Sequence, residues 1–121
     1  MKQSTIQLLV GVSSILLLVT SCFYEKTPEP IQLENVSFNE DIVPIFEANC
    51  NSSFCHAPGK VSPDLSPANA WNNLQNGFID LDNPTSSTIV TVLDGGSMEQ
   101  YASDQDIATI LQWIEEGANN N

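Results

Sequence analysis

The stretch SDQDIATILQWIEEG, residues 103–117, constrains the fold of this chain more than any other. Ser103 and Asp106 have the spacing of a helix cap, and Ile107, Ile110, Leu111 and Ile114 recur at i, i+3, i+4 and i+7. Gly117 stands where a C-terminal cap belongs, so the pattern predicts a helix from about Asp104 to Glu116. An apolar stripe of this kind is stable only against a partner. Ile42, Ile45 and Phe46, near the other end of the same domain, can supply one.

Three shorter helices are legible. Ser37-Phe38-Asn39-Glu40 has capping-box spacing ahead of Ile42, Val43, Ile45 and Phe46. Pro44 is then expected in the first turn, where its missing N–H breaks no bond. Ser66-Pro67 opens ANAWNNLQ, which Gly77 stops, and Asn83-Pro84 opens TSSTIVTVL, which ends at Gly95-Gly96. The last of these is β-branched, but the proline and the glycine pair favour a short helix. No segment alternates well enough to read as a strand. The expected class is all-α, with about four short helices over residues 37–118 and a frayed tail at 119–121. A domain of about 80 residues built this way has a thin apolar core, and needs a cofactor, a crosslink or a metal to support it.

The chain begins with Met1-Lys2 and an apolar run from Ile6 to about Val19, followed by Val19-Thr20-Ser21-Cys22. An apolar run of about 14 residues is shorter than the roughly 20 needed for a spanning helix. Residues 1–21 read as a signal peptide of the bacterial lipoprotein kind, with a plain membrane anchor as the alternative. The resemblance to a lipobox implies cleavage before Cys22 and lipid attachment to its sulfur, enough acyl chain for stable anchoring. Residues 22–36, the lipidated cysteine and FYEKTPEPIQLENV, read as a tether whose 14 or so extended residues reach roughly 50 Å. The domain is thus expected outside the cytoplasm, facing periplasm or cell surface.

All fifteen carboxylates lie beyond Cys22, where Lys26 and Lys60 are the only bases, so the mature chain carries a net charge of −13. There is no arginine. Such a surface repels nucleic acid and anionic head groups. It serves solubility, or else steering toward a partner with a basic face.

With Cys22 taken by lipid, the remaining cysteines are Cys50 and Cys55, in CNSSFCHAPG beside the only histidine, His56. Three chemistries suit this cluster. A zinc ion could use Cys50, Cys55 and His56 with Asp64 as a fourth ligand, although adjacent Cys55 and His56 would have to turn to one ion. A Cys50–Cys55 disulfide suits an oxidising compartment but closes a short loop of small stabilising effect. Covalent haem attachment ordinarily uses C-x-x-C-H. On a regular helix i and i+3 share one side, whereas i and i+5 lie about 140° apart. The haem reading therefore requires the chain to leave helical geometry between the cysteines, and Asn51, Ser52 and Ser53 favour such a turn.

From Val36 to Ala118 the chain resembles the small monohaem cytochrome c domains of bacterial exported lipoproteins, on three pieces. VSFNEDIVPIFEANC looks like a first helix running into the attachment site, and CHAPGKVSPDLSP like the loop after the proximal histidine. GGSMEQYASDQDIATILQWIEEGA looks like a distal methionine loop and last helix. C-x-x-x-x-C-H is a minority variant of the family's motif. The resemblance implies an all-α, cytochrome c-like bundle around one covalent haem c. Cys50 and Cys55 would form the thioethers, His56 the proximal iron ligand, and Met98, 42 positions on, the distal one. The family commonly has proline after this methionine; here Glu99 follows. Pro63 or Pro58 would orient His56 through a carbonyl, and Leu65, Trp71, Leu74, Ile89, Val92 and Leu93 are candidate pocket walls. Propionates would meet Lys60, neutral donors such as Trp71, or water.

The function this implies is single-electron transfer to and from redox partner proteins, by a lipid-anchored carrier and not an enzyme. Two alternatives are a five-coordinate haem that senses a gas or reduces peroxide, and a haem-free, disulfide-closed binding module.

Overall fold

The computed structural model describes residues 33–121; the signal segment, Cys22 and most of the tether lie outside the described residues. Four α-helices and no strand occur among the described residues, as an all-α class requires. They are α1 (Val43–Asn49), α2 (Ala70–Leu74), α3 (Thr88–Leu93) and α4 (Asp104–Glu115), with single 3-10 turns at Pro84–Ser86 and Glu99–Tyr101. None of these helices is long and apolar enough to cross a membrane.

Helix α4 follows its sequence signals at both ends. The Ser103 hydroxyl accepts from the Asp106 amide, and the Asp106 carboxylate accepts from the Ser103 amide. At the other end Gly117 (φ +101°) takes the left-handed conformation, and the Ala118 amide donates to Trp113 and the Gly117 amide to Ile114. Ile110, Trp113 and Ile114 are fully buried, while Ile107 and Leu111 are only partly so. Trp113 thus takes the centre of the face, its ring 5.2 Å from that of Phe38. The expected partner segment is present, with Phe38, Ile42, Val43 and Phe46 buried and Ile45 at its margin.

Pro44 stands in the first turn of α1, as expected, but α1 is not where helical structure starts. Helical structure begins a turn earlier, at a π-helical segment Phe38–Ile42 in which Val43 donates to Phe38. The wide i→i−5 register ends at Val43, immediately before the residue that has no N–H to continue it. The proline thus stands in the first turn of α1, where the register changes and its missing N–H breaks no bond.

The tail is not frayed. The Asn121 carbonyl accepts from the Asn39 backbone amide at 3.0 Å, the Asn39 side-chain amide at 2.8 Å and the Ser37 hydroxyl at 3.0 Å. The Asn121 side chain accepts from the Phe38 amide, and Trp113 donates to the Asn119 carbonyl at 2.9 Å. The tail residues satisfy amides at the start of the first helical turn, which have no partners inside the helix. The end of the tether is fastened in the same region: Glu116 accepts from the Asn35 and Val36 amides at 2.9 and 2.8 Å, and Val36 is buried.

The Gln112 side-chain amide, followed by the Val36 and Asn35 amides, lowers the Glu116 pKa below its ordinary 4.5. A depressed carboxyl contributes stability above its unfolded pKa and loses it as pH falls through the folded value. Glu116→Gln should therefore lower stability by a constant amount above about pH 5, and the gap to the parent should close below pH 4.5. Urea unfolding across pH 3–7 reads this, and a gap independent of pH would refute it.

Candidate functional site

Helix α1 stops at Asn49, and Cys50 caps it, its amide donating to Phe46 at 2.8 Å. The chain then leaves helical geometry. Cys55 donates to Ser52, and His56 donates back to the Cys50 carbonyl at 3.0 Å. Ser52, Ser53 and Phe54 bulge outward, Phe54 being 88% exposed, while Asn51 stays half-buried. The cysteines are thus joined by a closed loop, which brings His56 back beside the end of α1. Two further bonds, Val61 to Cys55 and Leu65 to His56, fold the following loop onto the cluster.

His56 Nδ1 lies 2.9 Å from the Pro63 carbonyl. A carbonyl only accepts, so Nδ1 carries the proton and the lone pair of neutral imidazole is on Nε2. Pro63 is therefore the residue that orients the ring, and Pro58 is not.

Met98 comes from the other half of the domain. Helix α3 ends at Leu93, Gly95 (φ +70°) turns the chain, and the Met98 amide donates to the Val92 carbonyl at 2.8 Å. The turn Glu99–Tyr101 follows, its Tyr101 amide donating to the Met98 carbonyl.

Cys50, Cys55, His56 and Met98 line one cavity of about 330 Å³, within the range of small-ligand sites. Five of the six expected wall residues, Leu65, Leu74, Ile89, Val92 and Leu93, line it as well. Trp71 does not: its indole N–H donates to the Ala118 carbonyl at 2.9 Å, which ties α2 to the chain end and engages the donor. Lys60 is exposed and outside the lining. Sequence reasoning missed Phe46, Phe78, Val61 and Tyr101 as lining residues. Phe46 was discoverable, since it precedes Cys50 by four positions at the end of a helix. The other three lie outside the α-helices, and Val61 and Tyr101 are exposed, so no periodicity marks them.

Among the described residues, no Asp, Glu, Lys or Arg lines the cavity. Burial above all, then the charge of Asp106 and the neighbouring Cys55, pushes the Cys50 thiol from 9.0 up to about 11. Both cysteines are free thiols in this structure. In a chain carrying Cys22→Ser and Cys55→Ser, iodoacetamide modification of Cys50 should quicken with pH up to about 11. A plateau reached below pH 9.5 would contradict the burial argument.

The zinc arrangement is not formed. Asp64 accepts from the Ser66 amide and the Asn69 side chain instead. Among the described residues no three His, Cys, Asp or Glu side chains are grouped to share an ion. What the lining offers is two free thiols, an imidazole with a free nitrogen lone pair, and a thioether sulfur, in mostly apolar surroundings. Comparison with protein-family models, curated proteins and solved structures found no match.

Proposed function

We propose that this protein is a monohaem c-type cytochrome that carries single electrons and is anchored by lipid on Cys22 outside the cytoplasm. The observation that carries this reading is the meeting of Cys50, Cys55, His56 and Met98 in a single apolar cavity, although two distant segments supply them. The donor set fits the group. Cys50 and Cys55 would hold it through thioethers, His56 through Nε2, and Met98 through its sulfur. When bound, haem supplies an iron that gains and loses one electron, and His/Met ligation raises its potential.

The chain's own residues do the rest. The Pro63 carbonyl fixes the tautomer and plane of His56 and raises its basicity. Phe46, Leu65, Leu74, Phe78 and Ile89 supply a dry wall that excludes water from the redox centre. With His56 and Met98 both holding the group, no place would be left for a substrate, which is why the reading is a carrier and not an enzyme. The acidic surface would steer it toward the basic face of a redox partner, at a rate that falls with ionic strength.

Mass spectrometry of the chain exported alongside cytochrome maturation machinery tests the proposal. The expected result is one haem mass on the peptide containing Cys50 and Cys55. A folded product with both thiols unmodified, or joined as a disulfide, would sink it.

A further inference from the structure

Within the proposed function, and resting on Met98 as an axial ligand, we infer that Gly96 is the positioning residue for the Met98 sulfur. A proline after the methionine, common in the family the sequence resembles, is disfavoured here by the backbone. Met98 has ψ 9°, a conformation that a following proline disfavours, and the Glu99 amide donates to the Gly96 carbonyl at 3.3 Å. Another element must hold the loop.

Gly96 has that role because of space, not because of φ. Its backbone conformation is open to any residue, unlike that of Gly95 at φ +70°. A Cβ at position 96 would meet the Thr91 carbonyl oxygen, Val92 Cα at 2.6 Å and the Val92 carbonyl oxygen at 2.7 Å. All three are backbone atoms of α3, which cannot swing aside as a side chain can. The bare Gly96 backbone is therefore pressed against the last turn of α3. Two residues on, the Met98 amide donates to the same Val92 carbonyl. The loop is clamped to one peptide of α3 by a steric contact and a hydrogen bond, and Val92 itself lines the cavity with Met98.

Any side chain at 96 must move the loop off α3. Relief from 2.6 Å to the 3.4 Å at which ordinary contact begins takes about 0.8 Å. A shift of that size at position 96 would carry the Met98 side chain away from where it would hold an iron, while leaving the core of α3 and α4 in place.

The test compares Gly96→Ala, Gly95→Ala and Met98→Ala in the full-length, haem-loaded chain. Readouts are the methionine-to-iron charge-transfer band, the midpoint potential and far-ultraviolet circular dichroism. In Gly96→Ala, helix content should be kept, most of the band lost and the potential lowered toward that of Met98→Ala. Gly95→Ala is strained by its φ but has nothing within 4 Å of the added Cβ, so it should keep the band. If Met98→Ala removes the band and Gly96→Ala keeps it, the role of Gly96 is wrong and the ligand stands. If Met98→Ala leaves the spectrum unchanged, the ligand reading and this inference fall together. Amide exchange on the parent chain decides the matter even if Gly96→Ala does not fold. The Met98 amide should be protected as strongly as the amides of α3, and free exchange there would overturn the clamp.

Discussion

Replacing Trp113 by alanine is expected to lower the unfolding free energy of the domain by about 3–5 kcal/mol. Trp113 is 1% exposed, stacks at a tilt of 37° on Phe38 with centroids 5.2 Å apart, and lies beside Ile110 and Ile114 on the buried face of α4. Its removal deletes the largest side chain of the core, and so small a domain cannot collapse to fill the space. It also releases the Asn119 carbonyl, which otherwise accepts the indole N–H, and so loosens the tail that covers the first helical turn. Typical domains have about 5–15 kcal/mol in total, and a small one lies toward the low end. Urea unfolding of the full-length chain should place Trp113→Ala close to its midpoint at physiological temperature. Trp113→Phe, which keeps one ring but loses part of the indole volume and its N–H, should cost roughly 1–3 kcal/mol. A loss under about 1 kcal/mol for alanine would mean that Trp113 is not the centre of the core.

His56→Ala should have the largest effect on the proposed function. The cavity holds only one imidazole, and the Pro63 carbonyl presents it with Nε2 free. Loss of an orienting group outside a metal site already costs 10–100-fold in affinity or activity, so loss of the ligand itself should reduce haem-bearing protein at least about tenfold. Exported chain, quantified by in-gel haem peroxidase staining and by the absorption spectrum, checks this. Added free imidazole should restore part of the low-spin spectrum, since the cavity is left intact. Full haem content with an unchanged spectrum would rule His56 out as a ligand.

The local and the long-range parts of this structure were unequally legible. The start and stop of α4 were readable because caps act over three or four residues, and Ser103, Asp106 and Gly117 do so here. The looping-out between Cys50 and Cys55 was readable for a similar reason, since the spacing is incompatible with one face of a helix. Pro44 was placed rightly in a first turn, but the π-helical turn ahead of it was not legible because such a turn leaves no composition signature: the same residues could have begun an ordinary helix. The tail and Trp71 were misread because their partners are backbone carbonyls and amides. Every residue carries those groups, so side-chain type says nothing about which ones will meet.

The sequence by itself determined the helical class, the caps, the acidic surface and the inventory of donor types: two thiols, one imidazole and one thioether in the mature domain. These depend on residue identity and near-neighbour spacing alone. Only the tertiary structure decided that Met98 lines the same cavity as His56, that Pro63 and not Pro58 orients the ring, and that Gly96 lies against Val92. Each of those depends on how close two separate segments come when the helices pack, which residue identity and near-neighbour spacing do not specify.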